Sequence, residues 1–116
     1  MGRYRAVTSR IVDELMRTLD PARVITDPEK LAPYAHDEVS EAAYVRMPDV
    51  VVKPNTTAEV SEILRLANKE MIPVTPRGAG TGLSAGCVPM YGGIVLSLEN
   101  MNRVIEVDTH NLFIVV

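Results

Sequence analysis

At 116 residues, with 47% hydrophobic and 23% charged residues, the chain has the composition of one ordinary globular domain and not of a disordered or fibrous segment. Its net charge of −3, with lysines and arginines scattered along the sequence, excludes the basic face of a nucleic-acid binder. A single cysteine, Cys87, excludes an intrachain disulfide and a thiol pair for metal, and points to a reducing cytoplasm; no run approaches the ~20 apolar residues of a membrane span, and Met1-Gly2-Arg3-Tyr4-Arg5-Ala6 lacks the apolar stretch of a signal peptide.

Val7, Ile11, Val12, Leu15, Met16 and Leu19 recur at helical spacing and stop at Asp20-Pro21, which predicts an amphipathic first helix. Residues 22–49, punctuated by Pro28, Pro33 and Pro48, read as a loop-rich wrap with one short helical turn near Pro28 to Tyr34. Val50-Val51-Val52 is a β-branched run suited to a buried parallel strand. Thr56 opens a capping box with Glu59, and Val60, Ile63, Leu64 and Ala67 supply one apolar helix face. Ile72-Pro73-Val74 is the next strand and completes a βαβ unit. Gly93 to Leu98 reads as a third strand buried on both faces, and Arg103–Asp108 with Leu112–Val116, around Thr109-His110-Asn111, as a hairpin. The expected fold class is α/β (α+β): an N-terminal helix and wrap over 1–49, a βαβ unit with a small parallel sheet over 50–102, and the start of an antiparallel hairpin over 103–116. Phe113-Ile114-Val115-Val116 leaves an open apolar edge, from which truncation of a longer chain and self-association as a homodimer are expected.

Between the second and third of these strands lies Thr75-Pro76-Arg77-Gly78-Ala79-Gly80-Thr81-Gly82-Leu83-Ser84-Ala85-Gly86. Its glycines tolerate positive φ and let successive amides curl into a nest that an anion can approach closely, at the end of the strand where open α/β sheets bind ligands. The stretch is not a P-loop, since Leu83-Ser84 stands where Lys-Ser or Lys-Thr is required, and its glycines at 80, 82 and 86 miss the G-x-G-x-x-G spacing of dinucleotide folds. Pro89, Gly92 and Gly93 rule out a helix directly downstream, so a phosphate would be held by the loop's own amides, with the Thr81 and Ser84 hydroxyls as further donors. Arg77 reads either as a phosphate contact or as a charge paired with a carboxylate.

Together with Val51-Val52-Lys53-Pro54-Asn55-Thr56-Thr57-Ala58-Glu59-Val60, Ile72-Pro73-Val74 and the flanking Leu31–Glu38 and Asn102–Asp108, this loop resembles the N-terminal part of FAD-linked oxidases of the vanillyl-alcohol oxidase superfamily, with their PCMH-like FAD-binding domain. The similarity is greatest to the FAD subunit of glycolate oxidase and to D-lactate dehydrogenases. The resemblance implies FAD as cofactor, its diphosphate held by Pro76, Arg77, Gly78, Ala79, Gly80, Thr81, Gly82, Leu83, Ser84 and Gly86, mainly through backbone amides. Pro54 is then either a wall of the adenine pocket, as in relatives, or a simple strand stop. Thr81 occupies a position where some relatives carry a histidine joined covalently to the flavin; threonine cannot make that bond, so a dissociable FAD is implied. The implied activity is oxidation of a 2-hydroxy acid to the 2-oxo acid, with the hydride equivalent passing from the α-carbon to the flavin, the catalytic residues lying outside this chain, and electron-transfer subunits as partners of the complete enzyme. Bulk at Gly80 should abolish FAD binding, whereas Arg77→Ala should matter less.

The remaining polar candidates have plainer readings. Cys87 reads as a small apolar residue, His36 and His110 have no metal-ligand spacing, and Asp37, Glu38 and Glu41 read as a solvated loop.

Overall fold

Residues 3–116 are described by a computed structural model; Met1 and Gly2, the start of the segment read above for a signal peptide, lie outside it. Thr8 begins the first helix by accepting a hydrogen bond on its hydroxyl from Ile11 N–H, and α1 then runs Ser9–Thr18. It buries Ile11 and Leu15, with Leu19 just beyond its end, as the apolar spacing requires. A two-residue strand, β1 (Val24–Ile25), and a single-turn helix, α2 (Pro28–Leu31), follow, the latter continued by a 3-10 turn over Ala32–Tyr34. Asp27 caps α2 by accepting from Glu29 N–H, and Pro28 occupies its first position, where a missing N–H does no harm.

The sheet is built from β1, β2 (Val50–Val52), β3 (Val74–Arg77) and β4 (Ile94–Ser97) in the order β1-β2-β4-β3. β2 and β3 both run parallel to β4, with Ile94 opposite Val50 on one side and Val74 on the other, while β1 is antiparallel to β2. The βαβ unit is therefore split, because β4, third of its strands in the chain, inserts between the other two. Alternation along the strands divides the core. Val50, Val52, Ile94 and Leu96 join Ile11, Leu15, Ile63 and Ala67 in the helix-facing layer, whereas Val51 and Val95 pack with Leu31 and half-buried Tyr34 beneath the wrap. Burying an isoleucine such as Ile63 completely contributes about 2–3 kcal/mol.

α3 (Thr57–Glu70) connects β2 to β3. Thr56 accepts from Glu59 N–H as predicted, but the Glu59 carboxylate does not complete the reciprocal box: it meets the Thr56 hydroxyl at 3.4 Å and Arg23 at 2.7 Å. The buried face also differs from the expected one. Ile63 and Ala67, one turn apart, meet the sheet with Val60 and Leu66 at their flanks, and Leu64, about 100° round the helix from Ile63, is 46% exposed. Met71 ends the helix in the left-handed region, where Ile72 N–H donates to Ala67 C=O.

The strand after α3 starts and ends later than the sequence suggests: Ile72 and Pro73 precede it, and Pro76 and Arg77 belong to β3, paired with Leu96 and Ser97. Gly93 enters β4 at φ +76, and a Cβ there would lie 2.3 Å from the Pro73 carbonyl oxygen, so only glycine lets β4 close against this segment. The hairpin consists of β5 (Glu106–Asp108) and β6 (Phe113–Val115). Asp108 organises its turn by accepting from His110 and Asn111 amides, and these bonds from Asn111 hold its carboxyl below the ordinary aspartate range. Ile105, Val107, Ile114 and Val116 are exposed along it.

Candidate functional site

β3 and β4 are adjacent and parallel, yet they are joined by residues 78–93 without a helix. A parallel crossover of that length is normally helical; here the glycine-rich segment replaces it and folds into a cup of about 320 Å³ at the carboxyl end of the sheet. Gly78 through Ser84, with Gly86, line the cup beside Asp37 and Cys87. Of the other residues expected in the site, Pro76 and Arg77 form the end of β3 below it. Pro54 is fully buried just past β2, on the far side of β4 from β3, and does not line the cup.

Arg77 proves to be neither a carboxylate partner nor an exposed charge. Its guanidinium is buried and donates to the carbonyls of His36 at 2.8 Å and Pro33 at 3.1 Å, lies over the Tyr34 ring at 5.4 Å, and meets Cys87 Sγ at 3.6 Å. Cys87 is accordingly half-buried against a cation and not in an apolar pocket. Gly80 sits on this guanidinium: a Cβ at Gly80 would come 2.2 Å from Nη2, and its φ is +74, so both space and backbone conformation demand glycine.

Asp37 corrects the expectation of a solvated loop. It is only 6% exposed, and its two carboxylate oxygens accept from Val39 N–H and Ala85 N–H, each at 2.8 Å. Glu38 N–H donates to Gly82 C=O in the same region. An aspartate two residues before its amide partner is the signature of a local Asx turn, but nothing in the sequence signals the bond to Ala85, 48 positions away.

Among the described residues, the N–H groups of Ala79, Gly80, Thr81, Gly82, Leu83 and Ser84 donate to no protein acceptor. Six consecutive free amides over a buried guanidinium are the donor set that a diphosphate needs, so the residues present fit such a group.

A second polar cluster flanks the cup at the ends of β2 and β4. Tyr34 donates from its hydroxyl to Glu99 Oε1 at 2.5 Å, Ser97 donates to the same oxygen at 2.8 Å, and Lys53 stands 3.4 Å from it. Burial, then the hydrogen bond to Glu99, raises the Tyr34 pKa. For Glu99 burial opposes ionisation, but the bonds from Tyr34 and Ser97 and the charge of Lys53 outweigh it and hold the carboxyl below the ordinary glutamate range. Beyond this cluster opens a groove of about 900 Å³ between Asn55–Thr57 and Leu98–Arg103. Sequence reasoning passed over Tyr34 and Glu99 as site residues, since neither falls in a glycine motif.

The D-lactate dehydrogenase of Anaerostipes hadrus is 35% identical over 111 residues, covering 96% of this chain and 23% of that protein. The glycolate oxidase subunit GlcD of Bacillus subtilis (strain 168) is 33% identical over 106 residues, covering 91% of this chain and 22% of that protein. The chain thus spans less than a quarter of the length of these relatives. Among solved structures, alkyldihydroxyacetonephosphate synthase superposes with a TM-score of 0.76 at 22% identity over 90% of this chain and 21% of its own, a likeness of fold. Residues 48–116, more than half of the chain, match the family described as FAD binding domain, and it is to this family of FAD-binding flavoprotein domains that the chain belongs.

Proposed function

We propose that residues 76–86 clamp the diphosphate of FAD in an oxidoreductase that converts a 2-hydroxy acid of the glycolate or D-lactate type to its 2-oxo acid. The observation that carries this reading is the run of six free amides from Ala79 to Ser84, seated on Arg77 at the carboxyl end of a parallel sheet. The substrate class is supported by the relatives, which are a D-lactate dehydrogenase and a glycolate oxidase subunit.

When bound, the flavin supplies the two-electron oxidation of the hydroxyl-bearing carbon. The chain's own part is to hold and orient: the loop amides would donate to the diphosphate oxygens, the Thr81 and Ser84 hydroxyls would add donors, and Arg77 would give the nest a positive floor without leaving its carbonyl partners. Thr81, lacking a ring nitrogen, leaves the cofactor dissociable through this loop. Pro54, fully buried just past β2, is either a wall on the adenine side of the cofactor or a simple strand stop.

The test is a FAD titration of the purified chain, read by flavin fluorescence and by the visible spectrum after desalting, beside turnover of the full-length protein with glycolate and D-lactate and an artificial electron acceptor. Binding at micromolar or tighter affinity, release of all flavin on denaturation, and turnover of either acid are expected. Flavin retained by the denatured peptide would refute the dissociable cofactor, and FAD binding without turnover of any 2-hydroxy acid would reduce the protein to a flavin-binding module.

A further inference from the structure

Four contacts tie the glycine loop to one short stretch of the wrap, residues 33–39. Arg77 donates to Pro33 and His36 carbonyls, Glu38 N–H donates to Gly82 C=O at 3.1 Å, and Asp37 Oδ2 accepts from Ala85 N–H at 2.8 Å. The ties fall at the loop's start, middle and far end and leave the amides between them free. Asp37 is the anomalous member. It lines a cup suited to a diphosphate, where a carboxylate repels the ligand, yet it is buried there with both oxygens occupied by backbone N–H groups. The residue that it holds, Ala85, has φ +58, a left-handed conformation that is unfavourable for an alanine.

We propose that Asp37 is a positioning residue for FAD binding, acting through Ala85 to preset the diphosphate nest and not by touching the cofactor. This rests on the diphosphate reading above. The bond to Asp37 turns the Ala85 amide away from the ligand and fixes the far end of the loop in its left-handed turn, while the Asp37–Val39 turn fixes the carboxylate itself. The donors from Ala79 to Ser84 are then held between two anchors before the ligand arrives, and FAD need not order them on binding. The charge that makes the carboxylate a strong acceptor also makes it a poor neighbour for phosphate, so the two roles have opposite signs and can be separated by experiment.

Asp37→Asn removes the charge and leaves one oxygen for two amides; Asp37→Ala removes both acceptors. In the full-length protein, FAD affinity is measured by flavin fluorescence, and the bound diphosphate by its phosphorus NMR shifts. Positioning predicts that Asp37→Asn weakens FAD several-fold and Asp37→Ala roughly 10–100-fold, with moved phosphorus resonances and an unchanged flavin absorption spectrum. Affinity that is unchanged or tighter in Asp37→Asn overturns the proposal, because relief of repulsion then outweighs any loss of position. Weaker binding with unmoved phosphorus resonances overturns it as well, since the effect is then one of general stability. If Asp37→Ala does not fold, Asp37→Asn alone decides by the same criteria. Should the wild-type protein bind FAD with the phosphorus shifts of free FAD, the diphosphate reading itself fails, and that result is distinct from either outcome for Asp37.

Discussion

Gly80→Ala isolates the contact on which the loop is built. The added Cβ meets Arg77 Nη2 at 2.2 Å, Cζ at 2.7 Å and Nε at 2.9 Å, and the backbone stays at φ +74. The left-handed conformation costs alanine about 1–2 kcal/mol. The guanidinium has to move, and because it is bonded to two carbonyls, losing one of those charge-assisted bonds costs about 1.5–3 kcal/mol more. Gly80→Ala should therefore destabilise the chain by about 2.5–5 kcal/mol in equilibrium urea unfolding. In an Arg77→Ala background the steric part vanishes and only the conformational part, about 1–2 kcal/mol, should remain. Gly78→Ala serves as the control: nothing lies within 4 Å of its Cβ position, and a change beyond about 0.5 kcal/mol is not expected. A Gly80→Ala penalty equal in both backgrounds would refute the reasoning, since the guanidinium could then not be what the loop rests on.

Gly93→Ala drives a Cβ into the Pro73 carbonyl, a backbone atom that cannot rotate aside, at φ +76; a loss of about 2–5 kcal/mol in thermal or urea unfolding is expected. Thr56→Ala removes the cap of α3 and should cost about 1 kcal/mol, with Thr56→Ser restoring most of it. Glu99 has a depressed folded-state pKa, so the stability it contributes is present above its unfolded-state pKa and is lost as pH falls through the folded value. Acid unfolding curves of Glu99→Gln should accordingly show a weaker dependence on pH below the ordinary glutamate range than those of the wild type, and identical curves would contradict the cluster with Tyr34, Ser97 and Lys53.

The parts of the fold that were legible in the sequence rest on local signals. Thr56 with Glu59 announces α3, Val50–Val52 and Ile94–Ser97 are dense enough in β-branched and aliphatic residues to be buried strands, and the glycines at 78, 80, 82 and 86 mark the loop. What escaped is what depends on distant partners. Residues 24–25 are too few to show a period, and they are a strand because Val52 and Val51 lie opposite them. The insertion of β4 between β2 and β3 is settled by the packing of whole elements. The carboxylate pairing open to Arg77 in the sequence is not made, because sequence reasoning weighs side chain against side chain, whereas the guanidinium's partners are the carbonyls of Pro33 and His36, and every residue has one of those. Asp37 escapes the sequence for the same reason, since its partners are the backbone amides of Val39 and Ala85. Leu64 belongs to the apolar arc of α3 yet lies off the buried strip, because that arc is wider than the strip that touches the sheet.

The split of the βαβ unit by β4 has a thermodynamic consequence. The strand at the centre of the parallel sheet is the last to appear in the chain, and the link that brings it home, residues 78–93, is the one that carries the nest. Closing this irregular link orders its backbone at a conformational cost, which an occupant bridging its amides would offset. On the proposed site, cofactor occupancy and pairing of β3 with β4 would be one linked equilibrium: an occupant of the cup would tighten the middle of the sheet, and a change that loosens the sheet at Gly93 would be felt as weaker binding far from any atom that touches the ligand.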